Sequence, residues 1–499
     1  MSKRINVAEA SMHHYSLVAT GIAGFDDIID GGFSPRRLYL IEGDPGSGKT
    51  TLALQYLLQG RQQGERGLYV TLSETREELT AVAASHGWSL DEIDICELIP
   101  SEESLLPESQ ARMFHPSEVE LSETTKAVLA EVERIEPLRV VFDSLSEMRL
   151  LAQSPLRYRR QILALKQFFA GRNCTVLLLD DRTSESADLQ LHSLAHGVVT
   201  LEQLAPEYGA ERRRLRVVKM RGRRFRGGFH DFSIVKGGLE VYPRLVAAEH
   251  RLPFPSGQLS SGVEAIDQLL GGGLDCGTSA LLMGPAGSGK SSLALQYAVA
   301  AAERGEHAIV YTFDESLTTM VARMAGLGVD LQPHIESEHI HVQPIDPGER
   351  SPGEFVHRLR REIEQFNSKV VVIDSLNGYL SAMPEERFLI IQLHELLTYL
   401  GQQGVVTLLV VAQHGILGSG MQTPLDASYL ADSVILFRYF ESQGRLNRAI
   451  SVVKKRSGVH EDTLRELRMS QEGIWVGEPL TNFQGVLSGT PTFISQAGG

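Results

Sequence analysis

The stretch Gly43–Tyr56, "GDPGSGKTTLALQY", returns as Gly284–Tyr297, "GPAGSGKSSLALQY". Both copies satisfy G-x-x-x-x-G-K-[ST], a loop whose glycines let successive backbone N–H groups converge on phosphate oxygens. Lys49 and Lys290 stand 241 residues apart. The same offset carries Gly21 to Gly262, Asp26 to Asp267, Gly31-Gly32 to Gly272-Gly273 and Glu74 to Glu315. An offset shared over so long a window marks a tandem duplication. Further on, Asp143 answers to Asp374 and Lys219 to Lys454 at shorter offsets, so the first copy holds more loop. The polar, aperiodic stretch Ser101–Glu118 accounts for most of it.

A chain of 499 residues suits two domains rather than one core. The stretch "AAEHRLPFPSGQ", with two prolines and a glycine, breaks every period and reads as a linker over 247–258. The first domain is then expected over 1–246 and the second over 259–499. Each half alternates apolar runs with amphipathic stretches: "RLYLIEG", "GLYVTLS", "LRVVFD" and "CTVLLLD", then "SALLMG", "AIVYTFD", "KVVVID" and "VVTLLVV". Continuous Val/Ile/Leu runs separated by helices are the pattern of buried parallel strands. The expected fold is α/β, two P-loop NTPase domains in tandem, each a mostly parallel sheet flanked by helices.

Each glycine loop follows an apolar strand and opens a helix, the context that an ATP-phosphate cradle requires. The cradles are Gly43, Asp44, Pro45, Gly46, Ser47, Gly48, Lys49, Thr50 and Thr51, and Gly284, Pro285, Ala286, Gly287, Ser288, Gly289, Lys290, Ser291 and Ser292. Lys49 and Lys290 would reach the β/γ-phosphates. Thr50 and Ser291 would ligate Mg²⁺, supported by the strand-end carboxylates Asp143 and Asp374. A second carboxylate should orient the attacking water: Glu74 in "TLSET", and Asp314 or Glu315 in "TFDES". The bland alternative is that Ser73 or Asp314 caps the following helix.

The net charge of −14 argues against broad nucleic-acid affinity. One stretch dissents, Arg212–Arg226, with nine basic residues. No apolar run reaches membrane-spanning length, and the N-terminal residues lack the apolar core of a signal peptide. Cys96, Cys174 and Cys276 are scattered, which points to a reducing cytoplasm.

The openings "TGIAGFDDIIDGGF" and "SSGVEAIDQLLGGGL" resemble RecA-superfamily domains of the RadA and KaiC type. Two domains each ending in K-x-R, together with the run Asp432–Ser470 and "NFQGVLSGTPT", resemble the KaiC family in particular. That family comprises ATPases and autokinases of the bacterial circadian clock, double-ringed hexamers with ATP between subunits. The resemblance therefore implies a homohexamer in which Lys219 and Arg221, and Lys454 and Arg456, reach the γ-phosphate of the neighbouring subunit. It also implies a pair of catalytic glutamates in each domain, read here as Ser73-Glu74 and Asp314-Glu315. Glu74 is then the expected base of the first domain, while the second pair stays undecided.

In the family an adjacent Ser-Thr pair takes phosphate. Ser428 matches the serine and Tyr429 stands where the threonine would be. The chain runs only to "FISQAGG" beyond Thr492, so KaiA-type activation is not expected, whereas a KaiB-like partner is. Two other readings share the fold: a DNA-dependent recombination ATPase, and a nucleotide-gated scaffold without kinase activity.

Overall fold

The computed structural model describes residues 16–98, 116–152, 154–182, 189–206, 209–346, 348–381, 386–413, 429–486 and 492–493. The chain divides into two compact units, with the main break between Arg244 and Leu245.

In the first unit the strands are β1 (Leu38–Gly43), β2 (Gly67–Thr71), β3 (Asp94–Glu97), β4 (Arg139–Asp143), β5 (Thr175–Asp181), β6 (Gly197–Leu204), β7 (Arg212–Met220), β8 (His230–Val235) and β9 (Gly238–Tyr242). The helices are α1 (Ala23–Ile28), α2 (Lys49–Gln62), α3 (Arg76–Ser85), α4 (Pro116–Ile135), α5 (Leu145–Ala152), α6 (Pro155–Ala170) and α7 (Leu189–Leu194). The strands form one sheet in the order β3-β2-β4-β5-β1-β6-β7-β8-β9. It is parallel from β3 to β6 and antiparallel from β6 to β9.

The second unit repeats this plan after a small β10 (Gln258–Leu259) and β11 (Leu274–Asp275) ribbon. Its strands are β12 (Ser279–Gly284), β13 (Ala308–Thr312), β14 (Ile340–Pro344), β15 (Val370–Asp374), β16 (Val406–Ala412), β17 (Ser433–Ser442), β18 (Arg445–Lys455), β19 (Arg465–Ser470) and β20 (Gly473–Pro479), followed by a β21 (Phe483–Gln484) and β22 (Thr492–Phe493) pair. The helices are α8 (Glu264–Leu269), α9 (Lys290–Glu303), α10 (Leu317–Ala325), α11 (Gln332–Glu336), α12 (Pro352–Phe366), α13 (Leu376–Ser381) and α14 (Glu386–Gln402). The order β14-β13-β15-β16-β12-β17-β18-β19-β20 matches the first sheet strand for strand. The expected tandem α/β fold is the observed one.

Both faces of each sheet are covered, which is why the parallel strands read as unbroken apolar runs. In the first unit Tyr39, Ile41, Tyr69, Val141 and Leu177 enter one core, while Leu40, Leu68, Val70, Phe142 and Leu178 enter the other. In the second unit Leu282, Val310, Val372 and Leu408 face one way and Leu281, Ile309, Val371 and Leu409 the other. Of the stretch read as a linker, Ala247 is buried with Leu245 in the second unit's core, and its N–H donates to Glu395. Arg251–Gly257 is exposed and irregular. Residues 101–115 of the expected loop lie outside the described residues, and Pro116 already opens α4.

Candidate active sites

The loop after β1 and the loop after β12 sit at the carboxyl ends of the parallel strands, where open α/β sheets bind ligands. Gly48 and Gly289 cap α2 and α9 with φ of 97° and 105°, the left-handed region that glycine enters freely. A Cβ at Gly48 would lie 2.8 Å from Ile234 Cδ1, and one at Gly289 would strike Met469. Both helices thus begin with their first N–H groups turned toward the loop, a ready anion site.

In the first domain Lys49 is buried, and its Nζ donates to the carbonyls of Gly43 (3.0 Å) and Asp44 (2.9 Å). It also pairs with Asp181 at 2.7 Å. Asp143 ends β4; it accepts hydrogen bonds from the Thr50 hydroxyl and, at 2.5 Å, from Tyr69. Burial pushes the Asp143 carboxyl up, and these two donors and Lys49 oppose that. The hydroxyl and carboxylate expected to hold Mg²⁺ are therefore together.

Glu74 follows β2, its backbone tied to Thr71, whose hydroxyl donates to the Glu74 carbonyl at 2.7 Å. Its Oε2 is buried with no hydrogen-bond partner among the described residues. Desolvation first, and then the nearby Asp143 charge, push its carboxyl up to about 6. The N-cap of α3 is Thr75, closed into a capping box with Glu78, so Ser73 does not cap.

The second site keeps the plan and changes the details. Lys290 Nζ donates to the Pro285 carbonyl at 2.7 Å, and burial lowers its pKa to about 8. The Ser291 hydroxyl bonds Asp374, whose carboxyl burial raises. Asp314 accepts from Ser375 Oγ at 2.5 Å. Glu315 is gripped by Arg323 of α10, Nε to Oε1 at 3.0 Å and Nη2 to Oε2 at 2.7 Å. Ser316 is the N-cap of α10, which leaves Asp314 free of that task too. Tyr439 donates to the Ala286 carbonyl and Arg448 to that of Gly287, closing one side of the loop.

Among the described residues no group of three or more His, Cys, Asp or Glu could hold a metal by itself. One hydroxyl and one carboxylate per site fit Mg²⁺ that arrives with nucleotide phosphates and keeps waters.

The K-x-R residues lie at the other end of each sheet. Lys219 is level with Val198 and so with Leu40, and Arg221 is level with His196 and Leu38. Arg221 is thus five strand residues short of Gly43, roughly 17 Å at the usual rise. Lys219 donates to the His192 and Ala195 carbonyls, and Arg221 to that of Ser193. Lys454 donates to Ala431, while Arg456 pairs with Asp432 at 3.2 Å and reaches the Tyr429 carbonyl. Neither pair touches its own domain's phosphate loop. Ser428 lies outside the described residues, and Tyr429 is half exposed.

Asp181, Tyr69, Arg323 and Ser375 were not read from sequence as site residues. The signal for Asp181 was available: it ends the strand beside β1, and the register gives Ala412 at its place in the second copy. Likewise, the 241-residue offset sets Tyr69 against Val310 and Arg323 against Val82.

Two phosphate loops in series, each beside a hydroxyl–carboxylate pair and a strand-end glutamate, define a tandem P-loop ATPase. The profile of the KaiC ATPase domain matches residues 18–246 and again 259–481. The chain belongs to the KaiC family of ATPases. It is 27% identical over 490 residues to the circadian clock protein KaiC3 of Synechocystis sp., covering 96% of this chain and 95% of that one. It is 26% identical to the circadian clock oscillator protein KaiC of Acaryochloris marina, covering 96% and 92%. The KaiC of Synechococcus elongatus is also 26% identical, with 95% and 92% covered. No helix among the described residues is long and apolar enough to cross a membrane.

Proposed function

We propose that this chain assembles into a homohexameric double ring that hydrolyses ATP in its first domain and phosphorylates its own Ser428 in the second. The observation that carries the reading is Glu74: a buried carboxylate oxygen without a partner, among Lys49, Asp143 and Asp181. Elsewhere such an acceptor costs free energy, and at a phosphate loop it suits a base awaiting water. Water oxygen bonds to the γ-phosphorus as the bond to the β–γ bridging oxygen breaks. ADP leaves with that electron pair, and Glu74 takes the proton. Lys49 and the α2 N-terminus stabilise the developing negative charge. Mg²⁺, held by Thr50 with Asp143 and by Ser291 with Asp374, would neutralise phosphate charge.

In the second domain the same displacement uses the Ser428 hydroxyl, with Asp314 as the carboxylate accepting the proton. Lys219, Arg221, Lys454 and Arg456 serve the neighbouring subunit's γ-phosphate, in keeping with their distance from their own loops. The setting is cytoplasmic circadian-type or stress signalling, with a KaiB-like protein as partner rather than nucleic acid or membrane. Incubation with Mg²⁺ and γ-labelled ATP tests this. The expected outcome is free phosphate that drops about a hundredfold in Glu74→Gln, plus protein-bound label that disappears in Ser428→Ala. Label persisting in Ser428→Ala would exclude that serine as acceptor.

A further inference from the structure

We infer that Arg323 is a positioning residue that withholds Glu315 from water activation and so keeps hydrolysis in the second domain slow. The inference rests on the reading that strand-end glutamates take the water's proton. The two glutamates ride on matching backbone. Thr71 and Thr312 donate to the Glu74 and Glu315 carbonyls at 2.7 and 2.9 Å, and Thr75 and Ser316 cap the helices that follow.

The difference is in what meets the carboxylates. Glu74 Oε2 has no hydrogen-bond partner among the described residues, and the residue one 241-residue repeat from Arg323 is Val82. Glu315 has both oxygens in the fork of Arg323, at 3.0 and 2.7 Å. A third contact, Nη1 to Ser292 Oγ at 2.9 Å, fastens the guanidinium to the helix that follows the phosphate loop. A carboxylate with both oxygens engaged by two charge-assisted bonds must give one of them up before it can accept a hydrogen bond from an attacking water. The side chains are 28% and 21% exposed, which leaves the pair only partly screened by water. Bound ATP in the second domain is thereby spared from water and kept for transfer to a hydroxyl, for which Asp314 is the proposed proton acceptor.

The test uses the full chain carrying Glu74→Gln, so that phosphate release reports the second domain. Adding Arg323→Val, the residue of the first copy, should raise kcat about tenfold or more with KM for ATP unchanged. Arg323→Lys, which keeps the charge but not the fork, should fall between the two. Grafting the fork the other way, Val82→Arg with Thr51 as its second anchor, should lower release by the first domain. A kcat that stays level or falls in Arg323→Val, with ATP still bound, overturns the inference. Absence of phosphate release from the natural chain would instead overturn the functional reading on which it rests.

Discussion

Glu74 carries a titration that can be read in the rate. A base works unprotonated, and its carboxyl is pushed up to about 6, chiefly by desolvation. In a chain whose second site is silenced by Lys290→Ala, phosphate release should be level above pH 7. It should then fall about tenfold per unit once the pH drops below 6. The effect on stability has the opposite sense. The folded chain binds this proton more tightly than the unfolded one, so Glu74 destabilises the fold where it is ionised, above its folded pKa. Glu74→Gln should therefore raise Tm at pH 7.5 while cutting phosphate release about a hundredfold, which a thermal melt beside a phosphate assay would show. Glu74 itself was legible as a strand-end acid. Its missing partner was not, since an empty contact leaves no letter in a sequence. The pairings of Lys49 with Asp181 and of Asp143 with Tyr69 were equally hidden, because each joins residues distant along the chain, although Asp181 by itself was legible as a strand-end acid.

At the scale of elements, the strands and the two loop-borne helices were legible because burial on both faces writes continuous apolar runs and because the loop needs its glycines. The helix starts after β2 and β13 were less so. Ser73 and Asp314 are both able to cap, yet Thr75 and Ser316 do so. In the first copy the choice is fixed by Glu78, three residues on, which closes the capping box. Thr75→Ala should cost about 1 kcal/mol in a denaturant titration. It should also depress kcat, because the segment bearing Glu74 is held between that cap and Thr71. The antiparallel half of each sheet was visible only as β-rich runs. Its register, with shifts between Val198 and Val199 and between Val434 and Ile435, depends on pairings that no local pattern specifies.

Across the whole molecule the duplication was the most legible fact, and strand-for-strand topology repeats it. What the copies do not share is written at their sites: Asp181 against Ala412, Tyr69 against Val310, Arg323 against Val82. Both keep their K-x-R pair remote from their own loop, so on the proposed reading each ATP needs groups from two chains. Mixing Glu74→Gln protein with Lys219→Ala/Arg221→Ala protein should then restore phosphate release above the mean of the separate preparations. Simple additivity would count against shared sites. The contact between Lys49 and Asp181 has a consequence of its own. The Asp181 carboxylate lies 2.7 Å from the ammonium, so phosphate oxygens entering that loop compete with it for the same lysine. Among the described residues Lys290 forms no such ion pair, and burial, opposed by the Asp374 charge, pulls its pKa toward about 8. On the proposed reading, the first loop therefore gives up nucleotide more readily than the second.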